Sequence, residues 1–152
     1  MKAYTKIILK TGKSEAVKRF HPWVFSGAIK KIDGEVHEGD IVEVCSNHDE
    51  FLGMGHYQAS SIAVRVFSFQ QIEPDFEFWK SKLEVAYNYR KELGLTDQQE
   101  TNAYRLVHAE GDGLPGLILD YYNGTIVMQA HSIGMFQIKD HLVRALKEIY
   151  GT

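Results

Sequence analysis

The apolar residues of this chain change their spacing at Glu73-Pro74-Asp75. Before that point they come in short runs that alternate with polar residues. Directly after it they recur every three or four positions. A period of two belongs to a strand with one buried face, and a 3/4 spacing belongs to an amphipathic helix. The proline between them ends whatever precedes it, because the residue before proline is pushed out of the helical region. The sequence therefore predicts a strand-rich part over residues 1–70 and a mixed helix–strand part over 71–152.

In the first part Lys6–Lys10 reads as a strand, with β-branched Ile7 and Ile8. Ala16, Val17 and Phe20 sit at helical spacing in a short segment that His21-Pro22 stops. Ala28–Ile32, Ile41–Ser46, Phe51–Tyr57 and Ile62–Phe69 read as extended. About five short strands with one or two helical turns should close as a small β-barrel or a folded sheet. In the second part Asp75 can cap a helix over about 75–94, with Phe76, Trp79, Leu83, Ala86, Tyr87 and Leu93 on its apolar side and Gly94 at its end. A polar connection, Leu95–Asn102, follows. Ala103–Ala109, Gly116–Tyr122 and Thr125–His131 read as strands. Asn123-Gly124 is a type I′ hairpin signal, since that turn needs positive φ at both central residues. It sets a register in which Tyr122 faces Thr125, Asp120 faces Val127 and Leu119 faces Met128. Leu117, Leu119, Tyr121, Ile126, Met128 and Ala130 then share the core face. Ser132 can cap a final helix that turns Met135, Ile138, Leu142, Ala145, Leu146 and Ile149 inward. The fold class is mixed: a small β-barrel followed by an α+β part of strands plus helix.

Composition narrows the function classes. Hydrophobic residues make up 44% of the 152 and charged residues 24%, the balance of a folded chain and not of a disordered one. The longest apolar runs, such as Leu117-Ile118-Leu119, fall far short of the ~20 residues that span a bilayer. The lysine-rich start lacks the apolar run of a secretory signal. A cytoplasmic protein without a membrane partner is the expectation. The single cysteine, Cys45, excludes an intramolecular disulfide and a cysteine-based zinc site. The net charge is only -3, but it is unevenly spread. Residues 1–32 hold eight Lys or Arg against one acid, Glu15, whereas residues 33–70 hold seven acids against Arg65 alone. A basic segment of this kind suits a local phosphate-binding face. It equally suits two opposite segments that fold together and neutralise each other.

Three clusters could carry chemistry. His21-Pro22-Trp23-Val24-Phe25-Ser26-Gly27 places an imidazole and two aromatic rings among Arg19, Lys30 and Lys31. Rings stack on bases while cations meet phosphates, a combination suited to single-stranded or irregular RNA. Trp23 and Phe25 could instead plug the barrel. Gly53 and Gly55 alternate along a strand, which implies close approach by another segment or a ligand. They lack the spacing and following helix of a nucleotide loop. Glu110-Gly111-Asp112-Gly113-Leu114-Pro115-Gly116, followed by Asp120, could supply acid/base groups or Mg²⁺ ligands. It could also be a tight loop whose carboxylates accept backbone N–H bonds, or a docking surface. His108 and His131 lie on strands that could be neighbours, but no third metal ligand accompanies them, so no metal site is expected. Cys45 has no residue beside it that would activate a thiol.

Lys-x-Gly-Lys at 10–13, His-Pro-Trp-Val-Phe-Ser-Gly-Ala-Ile at 21–29, Gly-Asp at 39–40, Ser-x-Ile-x-Val-Arg-Val at 60–66 and Tyr-Arg-Leu-Val-His-Ala-Glu-Gly-Asp-Gly-Leu-Pro-Gly-Leu-Ile-Leu-Asp at 104–120 together resemble one family. It is the family of PUA-domain-containing class I SAM-dependent methyltransferases of large-subunit ribosomal RNA, whose characterised members make 5-methylcytosine. The resemblance runs over essentially the whole chain. It implies an RNA-gripping PUA domain at 1–70. It implies that 71–152 holds a linker helix and the first part of a central α+β domain, whose last two strands are missing here. It places the Rossmann-like methyltransferase domain, with its SAM loop, its acidic ribose-binding residue and its catalytic cysteine, outside these 152 residues. The chain alone is thus expected to be an inactive fragment without a cofactor, SAM being implied for the full-length protein.

The resemblance implies ribosomal RNA as the partner, held by Lys10, Lys13, Arg19, His21, Trp23, Lys30, Lys31 and Arg65. Arg90, Arg105, Glu110, Asp112 and Asp120 become candidates for docking the methyltransferase domain or lining the substrate cleft. No residue is assigned a catalytic role. The alternative is an interaction module that does not bind RNA and pairs with itself or another protein through an exposed strand edge.

Overall fold

The computed structural model describes residues 3–98 and 101–152. Lys2, and residues 99 and 100 of the predicted polar connection, lie outside the described residues. The chain divides into two compact units, one reaching Glu73 and including Ser132–Gly134, the other formed by Pro74–His131 and Met135–Thr152.

The first unit contains strands β1 (Lys6–Leu9), β2 (Trp23–Phe25), β3 (Ile29–Asp33), β4 (Ile41–Cys45), β5 (Phe51–Tyr57) and β6 (Ile62–Ser68), and a single turn of helix, α1 (Glu15–Lys18). The strands form one sheet in the order β2-β6-β5-β4-β1-β3. Pairing is antiparallel except between β1 and β4. Ile7, Leu9, Val17, Val24, Val42, Val44, Leu52, Val64 and Val66 share one buried cluster. Five of the strands and α1 supply them, so the sheet curls around a common core as a half-barrel. Gly53 and Gly55 serve that curl. A Cβ on Gly55 would stand 2.4 Å from the Arg65 carbonyl oxygen, and one on Gly53 would stand 2.9 Å from a Val66 methyl. The close approach read from their spacing is that of β6.

Strand β2 is the element that sequence periodicity did not resolve. Its middle residue, Val24, enters the core, while Phe25 is 50% exposed and Trp23 is half-buried. The barrel-plug reading of Phe25 is therefore corrected: alternation along a three-residue strand leaves one inward position, and Val24 takes it. Phe20 is corrected likewise. The chain has left α1 before reaching it, so its ring points outward instead of following the helical spacing.

The second unit opens with α2 (Phe76–Glu92). Asp75 caps it by accepting a 3.0 Å bond from the Phe78 amide, and Phe76, Trp79, Leu83 and Ala86 are buried along one side. Leu93 falls just past the helix and is exposed. Strands β7 (Ala103–His108), β8 (Leu117–Tyr122) and β9 (Thr125–Ala130) form a sheet in sequence order. The β8–β9 register is the one the Asn-Gly turn requires, with Tyr122 opposite Thr125, Asp120 opposite Val127 and Leu119 opposite Met128. The predicted last helix is two, α3 (Ile133–Gln137) and α4 (Lys139–Tyr150), because Ile138 departs from helical geometry at φ -97°, ψ 12°. Among the described residues no helix is long and apolar enough to cross a membrane.

Candidate nucleic-acid interface

The sequence motif at 21–27 becomes a row of rings along one side of β2. His21 and Trp23 meet edge to face at 6.0 Å between centroids, and Trp23 and Phe25 do so at 6.3 Å. The Trp23 amide donates to His21 Nδ1 at 3.1 Å, which holds the imidazole at the entry to the strand. Arg65 is the direct cross-strand partner of Trp23, so the two side chains share a face although 42 positions separate them. Behind the rings lies a cleft of about 360 Å³, lined by Leu9, Lys13, Val17, Trp23, Phe25 and Ala28 among others. Lys13 thus lines the same cleft as Trp23 and Phe25. The Lys10 amide donates to Ala28 O at 2.8 Å, tying the β1 end to the same rim.

The remaining predicted cations are distributed differently. Arg19 is exposed at the end of α1. Lys30 and Lys31 are consecutive on the edge strand β3, where the register against β1 shifts. Lys30 donates to Asn47 Oδ1 at 2.8 Å, on the acidic segment. Lys6 pairs with Asp49 at 3.1 Å, and that hydrogen bond raises its pKa. Basic and acidic segments therefore do meet, at Lys6 and Lys30, while Lys10, Lys13, Arg19 and Lys31 stay exposed. The structure gathers Lys13, His21, Trp23 and Arg65 into one surface and sends Lys30 elsewhere.

The acidic loop of the second unit is organised by its own cations. Asp112 is held by both terminal nitrogens of Arg90, and its side chain also accepts the His108 amide at 2.6 Å. Arg90 Nε donates to Arg105 O at 3.0 Å. Arg105 and Asp120 are directly opposed on β7 and β8, and Arg105 Nε donates to Asp120 Oδ1 at 2.8 Å. That bond raises the Arg105 pKa. Of the alternatives for this loop, the tight turn with backbone-accepting carboxylates describes Asp112. Among the described residues no group of three or more His, Cys, Asp or Glu is placed to hold a metal ion. His108 and His131 are not on neighbouring strands, since β8 separates β7 from β9. Cys45 is buried, and burial pushes its thiol up to about 11, so it is a packing residue.

Comparison with known proteins follows the same division. Residues 7–69 match the PUA-like domain family. The match spans the sheet that carries the rings and cations just described. Over nearly the whole chain the sequence is similar to two proteins named ribosomal RNA large subunit methyltransferase I. One, from Aliivibrio fischeri, is 40% identical over 146 residues, which are 95% of this chain and 36% of the relative. The other, from Erwinia tasmaniensis, is 35% identical over 147 residues, 95% of this chain and 37% of the relative. The chain thus spans little more than a third of the length of these relatives. Its fold is also that of a solved chain from Streptococcus mutans assigned as a SAM-dependent methyltransferase. The TM-score is 0.80 at 21% identity, covering 96% of this chain and 38% of that one. A second solved chain, assigned as a methyltransferase and complexed with SAH, has a TM-score of 0.81.

Proposed function

We propose that this chain holds ribosomal RNA for a SAM-dependent methyltransferase that acts on the large subunit. The observation that carries the reading is the exposed surface where Lys13 and Arg65 flank the His21–Trp23–Phe25 row. Structured RNA offers phosphates to the cations and unpaired base faces to the rings. The names of the relatives favour ribosomal RNA over other polymers. Lys10, Arg19 and Lys31 extend the proposed contact to the flanking backbone. A cytoplasmic location follows from that substrate.

Cytosine C5 is the proposed target. Methyl transfer to that carbon needs a thiol that adds at C6 and a bound methyl donor. The residues present do not fit SAM: Gly53 and Gly55 accommodate β6, and Cys45 is buried with its thiol held protonated. The donor site and the nucleophile are therefore assigned to the part of the relatives that this chain does not match. The loop clamped by Arg90 and Asp112, with Arg105, Glu110 and Asp120 around it, is the proposed surface on which that part docks.

Filter binding to a large-subunit ribosomal RNA fragment at several salt concentrations tests the reading. Affinity should fall steeply, with a log–log slope of roughly -0.7 to -0.9 per phosphate contacted. A K13E/R19E double variant should bind more weakly and with a shallower slope. A flat salt response, or equal binding by the double variant, contradicts the proposal. One observation favours a second reading, self-association: β9 is an edge strand without a charge, a proline or a bulge.

A further inference from the structure

We propose that Phe20 is a base-stacking platform, an exposed ring held out beside Arg19 to receive one unpaired nucleobase; the inference rests on the RNA reading and extends it to a residue that reading does not use. Phe20 follows α1 directly. Its amide donates to Val17 O at 2.9 Å, and the next amide, of His21, donates to Ala16 O at 2.9 Å. These bonds close the helical turn and hold Phe20 at φ 67°, in the left-handed region. Glycine is the usual residue where a helix ends this way, because a side chain there is strained. Phenylalanine bears that strain and yet is 70% exposed.

Two ordinary explanations fail at this position. A turn would be better served by glycine, and a core contact would bury the ring. The ring does meet Phe69, at 5.2 Å and 81° between planes, which braces it without covering it. Strained backbone positions cluster where a ligand is held. Its surroundings define that ligand. Lys18 and Arg19 precede it, His21 follows it, and residues 1–32 contain one acid in all. A flat apolar face wanted among cations matches a nucleotide, with its base on the ring and its phosphate toward Arg19.

The test uses the whole chain, a fluorescently labelled RNA hairpin with an unpaired adenine loop, and a blunt RNA duplex as control. F20L keeps the apolar body and the strain but removes the π face. It should bind the hairpin about 5- to 100-fold more weakly, the range that loss of one base–aromatic stack produces. Its salt slope should equal that of the wild type, because stacking releases no counterions. F20W should bind like the wild type, and duplex binding should be the same in all three. F20G removes strain and ring together, so it should melt no lower than the wild type while binding the hairpin as weakly as F20L. Wild-type affinity in F20L, or a lower melting point in F20G with affinity retained, overturns the inference and makes Phe20 a packing residue. K13E/R19E separates the two proposals. If it weakens binding and F20L does not, only the Phe20 assignment falls. If neither weakens binding, the RNA reading falls with it.

Discussion

His56 shows how burial alone can link a single side chain to pH. It lies on β5 with its ring 4.9 Å from Phe67, and burial lowers its pKa from 6.5 to about 4. Gly134 leaves room for the imidazole: a Cβ there would stand 2.1 Å from His56 Cγ. The folded chain therefore keeps this imidazole neutral, while the unfolded chain protonates it near pH 6.5. Between those values the unfolded state binds more protons, so stability falls as pH falls from 6.5 towards 4. The full loss from this one group is about 3 kcal/mol. Urea unfolding of the wild type and of His56→Leu across pH 4–7 should show it. The wild type should lose stability over this range more steeply than the variant, whose leucine cannot titrate. Parallel pH profiles would show that His56 is not held neutral.

At the scale of elements, the Arg90–Asp112 pair joins α2 to the loop between β7 and β8. Both side chains are nearly out of solvent, 12% and 10% exposed, so removing one partner leaves a buried charge. Arg90→Ala should cost about 3 kcal/mol, while Asp112→Asn, which still accepts the His108 amide, should cost less. Urea unfolding of the two variants gives the comparison, and equal losses would mean that the pair rests on the carboxylate charge alone. The elements legible in the sequence were those governed by local rules. Asp75 caps α2 from within its own first turn, and Asn123-Gly124 imposes a register that needs no distant contact. Strand β2 escaped because three residues are too few to show a period. The break at Ile138 escaped because the apolar spacing runs on through it. The site was half legible for the same reason. Residue types identified His21, Trp23 and the lysines, but the placing of Arg65 beside Trp23 depends on which strands pair. Phe20 fitted a helical spacing, and only the left-handed turn after α1 puts its ring outside.

For the molecule as a whole, the basic face and the uncharged edge lie in different units, so binding and self-association can be separated by mutation. The two edges of the second sheet differ. Strand β7 carries Arg105 and a register shift between Arg105 and Val107, both of which discourage strand addition. Strand β9 reads Thr-Ile-Val-Met-Gln-Ala and pairs with β8 without interruption. Its inner side and α4 border an apolar groove of about 490 Å³ that includes Ile126, Met128, Val143 and Leu146. Two copies placed antiparallel, β9 against β9, would satisfy the open backbone groups and cover both grooves about a two-fold axis. Val127 points to the outer face and is 45% exposed, so Val127→Lys charges the edge without entering the core. Sedimentation at increasing concentration should show the wild type associating and Val127→Lys remaining a monomer. RNA affinity should be unchanged in that variant, because the ring-and-lysine surface belongs to the other unit. A wild type that stays monomeric throughout would remove the self-association reading and leave the RNA reading standing. A tight dimer whose sedimentation does not shift with a ribosomal RNA fragment would instead leave self-association standing and remove RNA, since the edge would then do what the basic face does not.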